Sequence, residues 1–240
     1  MESSEDTLLY EGKAKKIFTT DHPEVVRIAY KNDTTAFNGE KFEKLAGKGR
    51  LNNEISSFFF EHLHQQGIRN HFVEKLSATE QLVRRVEIIP LEVVTRNISA
   101  GSLCKRTGWE EGEKLPAPLV EFYYKNDDLG DPLLADVHID MLGLASESEL
   151  AELRQRGLGI NDCLQQLLEP CGILLVDCKL EFGRDAEGNL LLADEISPDT
   201  CRFWDVVTQE KLDKDRFRRD LGGVVEAYGE IWRRLTAGAK

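Results

Sequence analysis

The sequence is poor in the features that define several large protein classes. Its 240 residues include five cysteines and no CxxC pair, so neither a disulfide framework nor a zinc ribbon is expected. No apolar run approaches the roughly 20 residues that cross a bilayer. Residues 1–7 are polar and acidic, unlike a signal or transit peptide. These absences predict a reduced, cytoplasmic protein with no membrane partner.

Positive charge is also scarce. Lysine and arginine number 31 against 43 acidic residues, which gives a formal net charge of −12. Because nucleic-acid binding depends on a basic surface, general binding to nucleic acid is not expected. The balance still allows a local basic pocket for a phosphorylated small molecule. The sequence contains no GxxxxGK[ST] segment, so a P-loop nucleotide site is not expected.

The remaining patterns are typical of a mixed α+β protein. Turn residues predict a hairpin around residues 11–13 and a loop over residues 32–39. Alternation predicts six further strands, the third and fourth of which are separated by a break at Pro90: Val25–Tyr30, Phe72–Leu76, Gln81–Ile89, Leu91–Asn97, Ile173–Phe182 and Leu190–Glu195. Helical spacing predicts helices at Leu51–Gln66, at Glu147–Glu169 with a break at Gly157 and Gly159, and at Lys214–Leu235 with Asp213 and Asp215 as caps. We expect two lobes that divide near Pro90, one β-rich (residues 1–89) and one α+β (residues 90–240).

The strongest chemical pattern lies in the segment Leu174–Gly183. Because side chains alternate along a strand, Asp177, Lys179 and Glu181 share one face and the apolar residues between them share the other. Three charges in a row on an otherwise apolar hairpin favour a metal and phosphate site. A solvated face with ordinary ion pairs is the alternative.

The returning strand adds Asp194 to this pattern. If Gly183 pairs with Leu190, Asp194 lies opposite Lys179 and diagonal to Glu181. Two carboxylates at that separation are close enough to hold one Mg²⁺ ion. The charged loop from Lys125 to Asp131 is a further candidate to reach a metal.

A glycine-bearing turn near the N-terminus carries two lysines on one face. Gly12 lets the backbone approach a ligand, and Lys13 and Lys15 would meet phosphate groups, as in the glycine-rich hairpin of protein kinases. A lysine-rich surface turn is the alternative.

Two further segments predict an anion site. Arg96 ends a strand before Ala100-Gly101-Ser102, and free N–H groups at this turn would form a phosphate nest with Arg96 and Ser102. The alternative is the cap of a surface helix. Arg202 lies in the loop after the acidic strand, and its guanidinium suits a carboxylate or a phosphate.

Together these segments resemble the SAICAR synthetase family. The resemblance runs from Tyr10 to Leu235, and its most diagnostic parts are Leu175–Gly183 and Pro90–Ser102. Further matches are Tyr10–Lys15, Gly49–Glu54 and Asp213–Arg218.

The resemblance implies an ATP-dependent ligase of purine biosynthesis with ATP in a cleft between two lobes. The substrates would be ATP, carboxyaminoimidazole ribonucleotide and L-aspartate, with Mg²⁺ as cofactor, in a homodimer. The implied positions are Lys13 and Lys15 over the ATP phosphates, Glu181 and Asp194 on Mg²⁺, Asp131 on a second ion, Arg96, Ser102 and Arg202 on the ribonucleotide, and Lys125 and Lys179 near the transferred phosphoryl group. Lys179, Asp194 and Lys125 would be the catalytic residues.

Two other classes remain open from the residues alone. A small-molecule kinase would use the same lysines and carboxylates but would consume ATP without aspartate. A nucleotide-binding module without catalysis would need no pair of metal carboxylates, so Glu181 and Asp194 count against it.

Overall fold

The computed structural model describes residues 7–36 and 39–238. The strands of the N-terminal part are β1 (Leu8–Glu11), β2 (Lys15–Thr19), β3 (Val25–Tyr30), β4 (Asp33–Ala36), β5 (Lys41–Lys44), β6 (Phe72–Lys75) and β7 (Glu80–Arg84). Five of them form an antiparallel sheet in the order β1-β2-β3-β7-β6, and β4 pairs with β5. The predicted N-terminal hairpin is confirmed, and its turn is closed by the Gly12 N–H, which donates to the Lys15 carbonyl at 2.8 Å.

A second antiparallel sheet follows. Its strands are β8 (Glu87–Ile98), β9 (Lys114–Tyr124), β10 (Leu133–Leu134), β11 (Ile173–Arg184), β12 (Leu190–Ala193) and β13 (Cys201–Asp205). They lie in the order β10-β9-β8-β11-β12, and β13 pairs with the other end of β11. Strand β11 is therefore the centre of the sheet, because it pairs with β8 on one side and with β12 and β13 on the other.

Six helices accompany the sheets in the described residues. They are α1 (Lys48–Gln65), α2 (Ser102–Thr107), α3 (Asp136–Met141), α4 (Glu147–Leu168), α5 (Asp215–Arg218) and α6 (Val224–Gly238). Three apolar side chains at helical spacing in α1, those of Ile55, Phe59 and Leu63, are buried. These side chains share one core with residues of β8, β11 and α4. Helices and antiparallel sheets around this core confirm the α+β class, while the division into lobes of residues 1–89 and 90–240 stays a prediction.

The predicted alternation along β11 is confirmed. Cys178, Leu180 and Phe182 belong to the core, and each is at most 1% exposed. Asp177 and Glu181 face the opposite side but are also buried. The charged face is therefore not an ordinary exposed strand face, because two of its three charges are buried and all three contact groups of opposite charge.

Three of the predicted breaks are wrong. Strand β8 continues through Pro90, since the pairing with β11 is irregular there and the missing N–H is not needed. Helix α4 continues through Gly157, where a Cβ atom would lie 3.1 Å from Cγ1 of Val93, so this glycine lets the helix approach β8 closely. It continues through Gly159 as well, which lies on the exposed side of the helix.

The single last helix predicted over Lys214–Leu235 is also wrong, because this segment forms two helices. Helices α5 and α6 are separated at residues 219–223, where Asp220, Gly222 and Gly223 have φ angles of 56°, 69° and 61°. Left-handed backbone of this kind ends a helix. The loop predicted over residues 32–39 is wrong for β4, and its residues 37–38 lie outside the described residues.

Five strands have no counterpart in the sequence prediction: β4, β5, β9, β10 and β13. Strand β9 carries prolines at positions 116 and 118 on a stretch that is mostly exposed. Strand β13 holds Arg202, which the sequence placed in a loop. None of the described helices has the length and apolar character needed to cross a membrane.

Candidate active site

A charged cleft of about 360 Å³ lies along β8 and β11. Six of the predicted site residues line it: Lys13, Arg96, Ser102, Asp131, Lys179 and Arg202. The other four lie next to it. Glu181 bonds to Lys179 and to Lys125, and Asp194 bonds to Lys15 and interacts electrostatically with Lys179. The fold thus brings the predicted residues together although they are spread over most of the chain.

Arg96 is held in the cleft by four side-chain hydrogen bonds. It is 3% exposed, and its guanidinium donates to Glu121 at 2.8 Å and to Asp177 at 2.9 Å. Two further bonds, each of 3.1 Å, run to the hydroxyl groups of Ser102 and Tyr123. These four bonds fix the guanidinium plane, so Arg96 presents a rigid positive group to the cleft.

Asp177 joins two arginines across three neighbouring strands. It pairs with Arg96 of β8 on one side and with Arg202 of β13 on the other. Its Oδ2 atom accepts bonds of 2.9 Å from Arg96 and 2.7 Å from Arg202. Arg202 also donates to Asp215 at 2.8 Å, and Arg218 donates to the same carboxylate at 2.6 Å. Asp215 is therefore not a helix cap, as the sequence suggested, but the partner of two cleft arginines.

The turn before α2 lies directly against Arg202. Gly101 has a φ angle of 58°, and a Cβ atom there would lie 2.4 Å from Nη2 of Arg202. Only glycine leaves room for this contact. The fold thus brings Arg96, Ser102 and Arg202 together around this turn, and their proposed role in binding the ribonucleotide stays a prediction.

The lysines and carboxylates predicted for phosphoryl transfer form a second cluster. Lys179 donates to Glu181 and to Glu92, both at 2.8 Å, and Lys125 donates to the other oxygen of Glu181 at 2.5 Å. Lys15 bonds to Asp194 and lies 3.0 Å from Glu195. The neutralising partners of these carboxylates are thus lysines from different parts of the chain.

The predicted register of the β11–β12 hairpin is wrong by one residue. Gly183 pairs with Leu191, and Glu181 with Ala193. The loop sets this register, because Asp185 accepts bonds from the N–H groups of Glu187 and Asn189 and closes the turn. Asp194 is therefore not opposite Lys179.

Asp194 reaches the charged cluster by a different route. In the observed register, an extended Asp194 would lie opposite core-facing Leu180. Its φ angle of 61° ends the strand, and the carboxylate turns to Lys15 instead. The buried side chain of His71 lies close to Asp194. A left-handed non-glycine residue held in this way is typical of functional sites.

Burial and opposite charge set the protonation of this cluster. Burial opposes the charged form of Lys15, but Asp194 and Glu195 outweigh it and raise the pKa of Lys15 well above its usual value. Burial likewise opposes ionisation of Asp194, while Lys15, Lys179 and Lys125 lower its pKa below the usual range. Burial lowers the pKa of His71 to about 3, so its imidazole is neutral. Lys15 and Asp194 are therefore both charged at neutral pH.

The donor set fits a magnesium ion that arrives with a nucleotide. Glu181 and Asp194 offer carboxylate oxygens whose side-chain partners are ammonium groups. Mg²⁺ at nucleotide sites is commonly held by one or two carboxylates together with phosphate oxygens and water. Within residues 7–36 and 39–238, no group of three or more His, Cys, Asp or Glu side chains is arranged to hold an ion. Phosphate oxygens would therefore have to complete the coordination.

Two predicted residues lie at the edge of the cleft. Lys13 is half exposed and donates to Asp127 at 2.7 Å. Asp131 has a φ angle of 49° and accepts the N–H of Asn126 at 2.9 Å. Asp131 does not join Glu181 and Asp194 in one cluster, which is compatible with its predicted place on a second ion.

The comparisons with known proteins agree with this arrangement. The model of the SAICAR synthetase family matches residues 8–235. The chain belongs to this family. A phosphoribosylaminoimidazole-succinocarboxamide synthase of Brevibacillus brevis is 63% identical over 227 residues, which cover 95% of each chain.

Solved SAICAR synthetase structures share the whole fold. The synthase of Ehrlichia chaffeensis is 47% identical with a TM-score of 0.93, and the match covers 96% of this chain and 98% of that one. A SAICAR synthetase solved in complex with ADP is also 47% identical, with a TM-score of 0.92 and coverage of 95% and 97%. The family resemblance drawn from the motifs is thus confirmed.

Several cleft residues of this SAICAR synthetase family member escaped the sequence prediction. Asp199 lines the cleft and accepts bonds from Lys48 at 2.5 Å, from Asn52 at 3.0 Å and from Tyr228 at 2.7 Å. Lys48 has no exposed surface, a rare state for lysine. The alternating charges of Asp213–Arg218 are a sequence signal for Lys214, Asp215 and Arg218 at the cleft. The same pattern also suits the start of a helix, which is why the sequence predicts helix caps there.

Proposed function

We infer that this protein is a phosphoribosylaminoimidazole-succinocarboxamide synthase, a ligase of purine biosynthesis. It uses ATP to join L-aspartate to carboxyaminoimidazole ribonucleotide and releases ADP and phosphate. The observation that carries this inference is the family match over residues 8–235. The cleft agrees with it, because its two ends carry different kinds of charged side chains. One end combines lysines with carboxylates, as phosphoryl transfer requires, and the other is rich in arginine, as an anionic substrate requires.

We propose that the nucleotide binds at the lysine end. Lys13 and Lys15 would contact its phosphates, and Glu181 and Asp194 would hold Mg²⁺, with Asp131 at a second ion. When bound, the ion would neutralise charge on the transferred phosphoryl group. Lys125 and Lys179 already contact Glu181, so they are placed to donate to phosphate oxygens when the carboxylate turns to the ion.

The ribonucleotide is proposed to bind at the arginine end. Arg96 and Arg202 share Asp177, and Ser102 begins α2 beside them. Their fixed donors suit the oxygens of a phosphate group. The ribonucleotide would then extend from Ser102 towards Lys179. In this orientation the carboxylate of the ribonucleotide would face the nucleotide.

The proposed chemistry is activation of that carboxylate as an acyl phosphate. A carboxylate is a poor acyl donor because its oxygen leaves badly. Its attack on the terminal phosphorus of ATP gives an acyl phosphate and ADP. The amine of aspartate then attacks the acyl carbon, and phosphate leaves with one former carboxylate oxygen. The lysines stabilise charge in both steps, and no side-chain nucleophile is needed.

Release of ADP with each substrate omitted in turn tests the function. We expect ADP only when ATP, the ribonucleotide and aspartate are all present at steady state. ADP formed steadily without aspartate would instead identify a small-molecule kinase, which the same lysines and carboxylates would also serve.

An isotope experiment tests the intermediate separately. With ¹⁸O in both oxygens of the ribonucleotide carboxylate, each released phosphate should contain one labelled oxygen by mass spectrometry. Unlabelled phosphate would exclude the acyl phosphate, and AMP with pyrophosphate would indicate an adenylate.

We also propose a homodimer and a cytoplasmic location. A cluster of exposed apolar side chains at Leu133, Val137 and Met141 is a candidate dimer surface. Light scattering coupled to size exclusion should give twice the 27.2 kDa chain mass. The chain mass itself would contradict the dimer.

A further inference from the structure

Lys214 differs from every other basic residue that lines the cleft. Lys13, Arg96, Lys179, Arg202 and Arg218 each form an ion pair with a carboxylate. Over residues 7–36 and 39–238, the Lys214 ammonium group has no ion pair and no side-chain hydrogen bond. A cation that faces a cleft without a partner is available to a ligand.

The backbone of Lys214 is nevertheless fixed. Its N–H donates to the Pro198 carbonyl at 3.0 Å, and its own carbonyl accepts the N–H groups of Phe217 and Arg218 at 3.0 Å each. These bonds tie the residue both to the turn at residues 197–200 and to α5. The side chain therefore starts from a defined point beside the cleft.

The carboxylate that interacts with Lys214, Asp199, is already occupied. One of its oxygens accepts from Tyr228, and the other accepts from Lys48 and Asn52. Asp199 attracts Lys214 without bonding to it. Its role is to anchor α1 and α6 to the turn, and the ammonium group of Lys214 is left for another anion.

The surroundings make this charge costly in the absence of an anion. Burial lowers the pKa of Lys214 to about 8, Asp199 and Glu195 oppose this, and Arg218 and Lys48 add to it. A bound oxyanion would reverse the effect, since it supplies the missing negative charge.

We propose that Lys214 binds an oxyanion of a substrate in this cleft, a proposal that rests on the function inferred above. The group is either the phosphate of the ribonucleotide or a carboxylate of L-aspartate, because both present the charged oxygens that an ammonium group binds. Because the nucleotide phosphates are proposed to bind Lys13 and Lys15, the proposal assigns Lys214 to one of the other two substrates.

The test compares Lys214→Gln with Lys214→Arg and with a matched control. Lys211→Gln also removes a lysine charge from the same segment, but Lys211 pairs with Glu111 at 3.3 Å and does not line the cleft. We expect Lys214→Gln to raise the KM of one substrate about tenfold or more, the loss of one charge-assisted hydrogen bond. Lys214→Arg should retain most of the affinity, and the KM of ATP should not change in any variant.

The substrate whose KM rises identifies the oxyanion. A selective rise for the ribonucleotide indicates its phosphate, and a selective rise for aspartate indicates a carboxylate. Unchanged KM values for both substrates, or a rise equal to that of Lys211→Gln, would overturn the proposal.

A binding experiment without turnover separates this proposal from the proposed function. Melting temperatures are measured with inorganic phosphate and with L-aspartate as probes, for the wild type and for Lys214→Gln. We expect one probe to raise the wild-type Tm and not that of the variant. The substrate-free variant should melt no lower than the wild type, because it loses an unpaired charge. Equal responses of both proteins, or no response of the wild type to either probe, would contradict a role of Lys214 in anion binding even if the ligase activity is confirmed.

Discussion

The two ends of the cleft differ in the sign of the net charge of their ion-paired residues. At the lysine end, Lys15, Lys125 and Lys179 contact four carboxylates, those of Glu92, Glu181, Asp194 and Glu195. At the arginine end, Arg96, Arg106, Arg202, Arg218 and Arg219 contact four carboxylates, those of Glu111, Glu121, Asp177 and Asp215. The first end is one cation short and the second has one cation in excess. This difference fits a metal-bearing ligand at one end and an anion at the other.

The type of cation also differs between the ends. Lysine presents a point charge on a flexible chain, and its bonds to Glu181 and Asp194 exchange easily for bonds to phosphate. Arginine presents planar donors in a fixed fork, and Arg96 uses them on four partners at once. The lysine end is therefore suited to rearrange during phosphoryl transfer, whereas the arginine end is already arranged before a substrate binds.

Removing a carboxylate from the lysine end should have the largest effect. We expect Asp194→Asn to lower kcat by about 100-fold or more, since electrostatic contributions to such a transition state are typically worth about 3 kcal/mol. Initial rates over a range of Mg²⁺ concentrations measure it. The matched control is Asp136→Asn, which removes an exposed ion pair with Arg154. Near wild-type turnover at ordinary Mg²⁺ would refute the metal assignment of Asp194.

The same comparison explains which parts of the site could be predicted from sequence. Alternation along one strand was enough to place Lys179 and Glu181 on one face, because side-chain period is a local property of a strand. The place of Asp194 depends on hairpin register, which the Asp185–Asn189 turn shifts by one residue. A local pattern did not contain that information, although the residue itself was identified.

The arginine end was predicted less completely for a related reason. Arg96 and Arg202 were identified as single residues, but their shared partner Asp177 depends on β8, β11 and β13 lying side by side. Strand β13 was interpreted as a loop, so the contact was not foreseen. Asp215 has the sequence context of a helix cap, and only its burial against Arg202 distinguishes the two roles.

Loss of an arginine should affect one substrate and also stability. We expect Arg96→Ala to raise the KM of the ribonucleotide about tenfold or more while that of ATP changes little. The variant should also melt at a lower temperature, because Glu121 and Asp177 lose a buried partner. Arg106→Ala is the comparison, since Arg106 shares Glu121 but is one-third exposed. Equal rises in both KM values would show that Arg96 acts only through the fold.

A smaller effect should follow from filling the space at Gly101. In Gly101→Ala, the new methyl group displaces a guanidinium that Asp177 and Asp215 hold in place. The backbone at this position (φ 58°, ψ −125°) is almost restricted to glycine and adds strain of about 1–3 kcal/mol. The KM of the ribonucleotide should rise several-fold, with little change for ATP. Gly108→Ala, at the other end of α2, is the comparison for a glycine of positive φ without the contact: its backbone is left-handed (φ 76°, ψ 6°), and no atom lies within 4 Å of the added carbon. If the KM of the ribonucleotide rises no more in Gly101→Ala than in Gly108→Ala, the contact with Arg202 does not position that guanidinium for the substrate.

The smallest effect concerns pH and Lys214. Burial places the pKa of this lysine at about 8, below its value of 10.5 in an unfolded chain, with Arg218 and Lys48 adding to the shift and Asp199 and Glu195 opposing it. Above about pH 8 the native protein has released this proton while the unfolded chain still holds it, so the contribution of Lys214 to the free energy of unfolding rises from there to about pH 10.5.

Affinity for the oxyanion changes in the opposite sense and falls above about pH 8 as the ammonium group loses its proton. The measurement is the ratio of KM values for Lys214→Gln and wild type from about pH 7 to about pH 9, in which titration of the substrate itself cancels. This ratio should shrink towards one as the pH rises, and a ratio that stays constant would show that the charge of Lys214 does not contribute to binding.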